Sequence, residues 1–197
     1  MTPSIVADFD TELMVLVQRD HSPSFGELLH RNRNVVVQYL ARVVQNQAIA
    51  EELAQDVFIR VYRSRHAYAP TAKFSTWLYR ITTNVALNHF RDERKYQNQI
   101  SLDIRDADQV RREVRDSAPL IEERLMRDEA ADQIRRAIRS LPAKQRAAVI
   151  LHKYEEMDYA QIAVVLGCTP SAVKALMFRA YEALRGRLSH LLKPVSA

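Results

Sequence analysis

Residues 159–178, YAQIAVVLGCTPSAVKALMF, decide the fold. Ile162, Ala163 and Leu166 fall on the inward side of a first short helix, and Ala163 is small enough to let a second helix cross closely. Gly167 supplies the left-handed turn, and Cys168 sits where that turn wants a small apolar residue. Thr169 can cap the second helix with its hydroxyl, and Pro170 suits its first turn. Val173, Leu176, Met177, Ala180 and Leu184 then line a buried stripe. This is the spacing of a helix-turn-helix. The second helix must expose its other side, which carries Ser171, Lys174, Ala175, Phe178 and Arg179, with Thr169 and Ala172 at the end that enters a major groove in this motif. These seven residues are the candidate contacts to duplex DNA.

Working outward, a periodic block over 121–192 breaks at Leu141-Pro142, at Met157-Asp158 and at 167–170, which makes four helices. Upstream, apolar residues recur at three- and four-residue intervals over 25–95, with one interruption at 65–72 that contains Pro70. Between the blocks, residues 97–124 hold seven acidic and five basic side chains and only isolated apolar ones. Three glycines in 197 residues leave little material for tight hairpins. The expected fold is all-α: two small helical domains, 1–96 and 125–197, joined by a flexible acidic linker, 97–124.

The net charge of +5 favours a polyanionic partner, but 24 acidic residues require any basic surface to be local. A lone Cys168 excludes an internal disulfide and the usual structural zinc sites. The six histidines are far apart, and no carboxylate pair, nucleophile motif or phosphate-binding glycine loop accompanies them. An enzyme is not expected, nor a cofactor or metal. No run approaches the roughly 20 apolar residues of a membrane span, so a cytoplasmic protein without membrane insertion is expected.

Two helices of the first block carry faces that their cores do not explain. From Ala50 onward, Ala50, Leu53, Ala54, Val57, Phe58, Val61 and Tyr62 form a core stripe. The opposite face holds Glu52, Gln55, Asp56 and Arg63, with the apolar Ile59 in its middle. The next helix has a core stripe of Phe74, Leu78, Ile81 and Val85, while another line collects Trp77, Arg80, Asn84, Asn88, Arg91 and Lys95. Indole, amide and guanidinium groups along one face suit stacking on bases, hydrogen bonds to base edges and phosphate contacts. Tyr68, Tyr79 and Phe90 are expected nearby.

These residues resemble the extracytoplasmic function sigma factors, the smallest group of the sigma-seventy class. The run Ala50-Glu51-Glu52-Leu53-Ala54-Gln55-Asp56-Val57-Phe58 is similar to the family's polymerase-binding helix. Phe74-Ser75-Thr76-Trp77-Leu78-Tyr79-Arg80-Ile81, followed by Asn84, resembles its promoter-melting helix. Leu141-Pro142 and Gly167-Cys168-Thr169 through Val173-Lys174 resemble its C-terminal domain. The resemblance implies that Glu52, Gln55, Asp56, Ile59 and Arg63 face the clamp helices of core RNA polymerase. It implies that Tyr68, Lys73, Trp77, Arg80, Asn84, Asn88, Arg91 and Lys95 capture and open the minus-ten element. The second helix of the helix-turn-helix would read the minus-thirty-five element, and an anti-sigma protein would exert control. After Val173-Lys174 many members carry Ser-Arg-Leu and further basic residues, whereas this chain has Ala175, Leu176, Met177 and Phe178, which implies fewer phosphate contacts there. The rival expectation is a dimeric operator-binding regulator, which requires a buried Trp77.

Overall fold

The structure is a computed structural model that describes residues 8–103 and 122–189. Among the described residues there are eight α-helices and no strands. Most of their boundaries have a local cause. α1, Phe9–Gln18, starts where Asp8 accepts from the Thr11 N–H at 2.7 Å, and it buries Leu13, Met14 and Val17. α2, Ser22–Val44, carries Pro23 in its first turn and ends at Gln45 in the left-handed region, φ 58°. Asn46 follows at once as the cap of α3, Gln47–Arg63, accepting from Ile49 N–H at 3.1 Å. The periodicity over 25–95 does not mark this two-residue break, but the helix start expected near Ala50 falls three residues inside α3. α1 was not expected at all, although an Asp cap and apolar residues at three- and four-residue spacing announce it.

After α3 the Ser64 hydroxyl donates back to the Arg60 carbonyl at 2.6 Å, and a short 3₁₀ turn, Arg65–Ala67, begins the connection to α4. α4, Phe74–Asp103, is thirty residues long and continues seven residues past 96, into the expected linker. No Gly or Pro stands at 96–103 to stop it. Most of the acidic stretch lies outside the described residues. α5, Glu122–Arg139, α6, Ala143–Lys153, α7, Tyr159–Leu166, and α8, Pro170–Leu188, break where the sequence predicts.

The two halves share a core. One contiguous cluster of buried apolar residues runs from Leu13 and Met14 through Tyr39, Phe74 and Ala86 to Ile150, Ile162 and Met177. α4 packs on α7, and α2 on α6. Polar contacts complete the seam. Tyr79 donates its hydroxyl to Glu155 Oε2, and Arg42 lies 3.6 Å from the other oxygen of that carboxylate. The Arg42 guanidinium also sits 4.8 Å over the Tyr154 ring. From the other side, buried Arg146 donates to the Val43 carbonyl at 2.8 Å and lies 5.1 Å over the Phe90 ring. Tyr79 and Phe90, expected beside the α4 polar line, therefore serve the seam.

Candidate nucleic acid interface

On α4 the polar line is open to solvent where the sequence places it. Arg80, Asn84, Arg91 and Lys95 are exposed, and Trp77 and Asn88 are half-buried. The other side of the helix is closed by Phe74, Leu78, Thr82, Val85 and Ala86. Trp77 is held by rings rather than enclosed: its centroid lies 5.0 Å from Tyr68, edge to face, and 5.9 Å from Phe74. Part of the indole, backed by an aromatic wall, is thus open on the α4 line.

Tyr68 is placed differently from the expectation. It is 3% exposed, its hydroxyl is bonded to Thr11, and burial raises its pKa. Its side chain supports Trp77 from behind and offers no free polar group. Lys73, at the end of the same connection, is exposed. A cleft of about 370 Å³ opens beside the α4 line between Arg60, Arg63, Ser64, Ile81 and Asn84. Sequence reasoning missed Arg60 and Ser64, because only the crossing of α3 against α4 brings them to Asn84. Arg60 pairs with Asp56 at 2.8 Å one turn before it.

The face of α3 opens on its other side into a second groove. Glu52, Gln55, Ile59 and Arg63 are exposed and Asp56 is half-buried. A groove of about 470 Å³ runs along Ile59, with Phe25, Leu29, Phe58 and Tyr62 as apolar walls and Gln55 and Arg63 at its rim. Tyr62, expected in the core, is 37% exposed because α2 turns Phe25 against its ring at 5.0 Å instead of covering it. The walls from α2 were missed, though Phe25 and Leu29 stand one turn apart. Ile59, 47% exposed, is continuous with an apolar groove, which sets it apart from a scattered surface aliphatic.

The helix-turn-helix forms as its spacing requires. Asp158 and Gln161 make a reciprocal capping box on α7. Gly167 takes φ +61°, and Thr169 Oγ1 accepts from Ala172 N–H at 3.1 Å to cap α8. The axes of α7 and α8 turn by 98°, within the range of the motif. Val173, Met177 and Ala180 are buried, with Leu176 and Leu184 half-buried. Val165 joins the buried set unexpectedly, since α7 has α4 as a second neighbour. Thr169, Ser171, Ala172, Lys174, Ala175, Phe178 and Arg179 are all exposed, Phe178 by 68%. A large aromatic ring that bare, between Lys174 and Arg179, departs from the usual burial of such side chains.

Among the described residues no group of three or more His, Cys, Asp or Glu side chains could hold a metal ion, and no single helix is long and apolar enough to cross a membrane. The grouped side chains form three surfaces: one of indole, amides and cations, one apolar groove with a polar rim, and one exposed helix end.

Comparison with known proteins agrees with this division. Residues 28–96 match the family described as Sigma-70 region 2, and residues 131–184 match Sigma-70, region 4. The chain is 30% identical over 187 residues to the RNA polymerase sigma-H factor of Pseudomonas aeruginosa, covering 93% of this chain and 96% of that one. It is 28% identical over 189 residues to the ECF RNA polymerase sigma-E factor of Escherichia coli, covering 93% and 96%. The fold is similar to that of CnrH in complex with the cytosolic domain of CnrY, with a TM-score of 0.65 at 22% identity over 93% of this chain and 99% of that one. A sigma factor RpoE in complex with the anti-sigma factor NepR from Bartonella quintana matches at 0.61, with 19% identity over 84% and 96%. With both sigma regions in order and relatives aligned along nearly its whole length, the chain belongs to the extracytoplasmic function sigma factors, transcription initiation factors of the sigma-70 class.

Proposed function

We propose that this factor directs core RNA polymerase to promoters by splitting three tasks among three helices. The groove and polar face of α3, with Gln55, Asp56 and Ile59, dock on the clamp helices of the polymerase. The α4 line from Trp77 to Lys95 and the connection before it take the minus-ten element, holding an unstacked base against the Tyr68–Trp77 wall while Arg91 and Lys95 meet the adjoining duplex. The start of α8, from Thr169 to Arg179, reads the minus-thirty-five element in the major groove. Strand opening then needs no chemistry. Extracting a base costs a few kcal/mol, and the pocket contacts that offset it make recognition and melting one event.

The observation that carries this reading is the partly exposed Trp77, bracketed by buried aromatics and followed along one face by Arg80, Asn84, Asn88, Arg91 and Lys95. A dimeric operator reader would have buried it. An anti-sigma protein is the proposed controlling partner, a role supported by a similar fold solved with an anti-sigma factor. The cytoplasm is the proposed compartment. Reconstitution with core polymerase on a promoter library, reading start sites, tests the proposal. Selective initiation is the expected result, and repression without holoenzyme formation refutes it.

A further inference from the structure

α1 precedes the residues matched by region 2, yet it and the turn after it hold the connection between α3 and α4 along its length. Gln18, in the last turn of α1, donates through Nε2 to the carbonyls of both His66 and Tyr68, each at 3.2 Å. Asp20 accepts from Nε and Nη2 of Arg65 at 2.9 and 2.7 Å. Arg65 in turn donates to the Tyr62 carbonyl at 3.1 Å and lays its guanidinium 4.3 Å over the Tyr62 ring. Asp20 stands at φ 63°, a left-handed conformation that Asp adopts more readily than most residues. Arg65 holds the Asp20 carboxyl below the usual carboxylate range, so the pair is intact at neutral pH and is lost only as pH falls through that lowered value.

Thr11 closes the far end. Its Oγ1 accepts from the Tyr68 hydroxyl at 3.4 Å and from the Phe74 N–H at 3.3 Å. That N–H belongs to the first turn of α4, where the helix itself provides no partner. The connection is therefore pinned at its start, middle and end by residues 45 to 63 positions earlier in the chain. Its own backbone adds two bonds in the 3₁₀ turn, from Ala67 N–H to the Ser64 carbonyl at 3.0 Å and from Tyr68 N–H to the Arg65 carbonyl at 3.2 Å, and beyond Tyr68 one from Thr71 N–H to the Ala69 carbonyl at 2.8 Å. Ala69, Thr71, Ala72 and Lys73 are exposed.

We propose that α1 positions the base-capturing connection, with Gln18 as the positioning residue that fixes the Tyr68–Trp77 wall; this rests on the proposed capture of a minus-ten base there. The Tyr68 ring meets both Phe74, at 6.1 Å, and Trp77, at 5.0 Å, so a tether on the Tyr68 carbonyl sets where the indole stands. A pocket that must offset unstacking gains by being ordered before the strand arrives, since ordering it afterwards subtracts from the contacts it makes.

Gln18→Glu is nearly isosteric, removes both N–H donors and sets an acceptor against two carbonyls, whereas Gln18→Lys restores a donor. Each variant is assembled with core polymerase and titrated with fork oligonucleotides carrying the minus-ten strand, intact or with one base at a time made abasic. The wild-type holoenzyme is expected to lose about tenfold in affinity at the captured position. Gln18→Glu is expected to lose only about threefold or less there, to bind the abasic oligonucleotide and core polymerase as wild type does, and to recover the wild-type ratio as Gln18→Lys. Retention of the wild-type ratio by Gln18→Glu overturns the proposal. So does an equal loss on intact and abasic strands, the behaviour of a general fold defect. Should wild type show no position-dependent loss, base capture itself fails and this inference falls with it.

Discussion

At the scale of single residues, the informative side chains are those whose chemistry does not fit their burial. Asn88 is half-buried on the α4 line with no role in the core, so Asn88→Ala is expected to reduce promoter opening by about tenfold, the worth of a lost base-edge contact. Permanganate reactivity of the melted strand measures the loss, and core binding should stay unchanged. Thr169 has a local duty as well as an exposed position. Thr169→Ala removes the bond to Ala172 N–H and is expected to cost about 1 kcal/mol, lowering the melting temperature by roughly 2–4 °C for a chain of this length. Thermal denaturation followed by circular dichroism checks it. The sequence made the cap legible because capping is local. It could not make Tyr68 legible: the ring looks like its neighbours in composition, and only the long-range bond to Thr11 turns it inward.

Elements were legible to the extent that their signals were local. α5 to α8 break at Pro, Gly and capping residues, which mark boundaries by their own backbone preferences. The α2–α3 break lacks such a mark. Gln45 adopts the left-handed conformation without being Gly or Asn, and Asn46 was the single cue. On α3 the face was readable, but its groove was not, since two of its walls come from α2. That groove shifts the best probe of the proposed polymerase docking toward Ile59. Asp56 is partly satisfied by Arg60 within its own helix, whereas Ile59 is 47% exposed at an apolar groove that the proposed partner would cover. Ile59→Glu is expected to weaken core association by about tenfold or more, as truncation or charging of a central interface anchor does. Competition binding against wild type reads the change, with helical content unaltered because the side chain is 47% exposed.

Over the whole molecule, what the sequence left unreadable is the seam. Nothing local in Arg42, Tyr79, Arg146 or Glu155 marks them as partners, and their meeting depends on how two helical sets pack. The proposed minus-ten and minus-thirty-five readers must span about 25 base pairs, roughly 85 Å at 3.4 Å per step. A packed chain of this size has a radius of gyration of only about 16 Å. On that proposal the halves would have to part before α4 and α8 could engage one promoter together. Glu155→Ala leaves the Tyr79 hydroxyl and Arg42 without their shared acceptor and is expected to weaken the seam by about 1–3 kcal/mol. Small-angle scattering of the free protein should report the gain in radius, and an unchanged profile counts against the seam as the closing contact.

The seam also bears on rivalry between initiation factors. A factor that is mostly shut offers only its open fraction to the polymerase, and each 1.4 kcal/mol spent on opening lowers its apparent affinity tenfold. If the proposed function holds, the contacts around Glu155, which are made by the Tyr79 side of α4 rather than by its exposed line, would set how well this factor competes for polymerase.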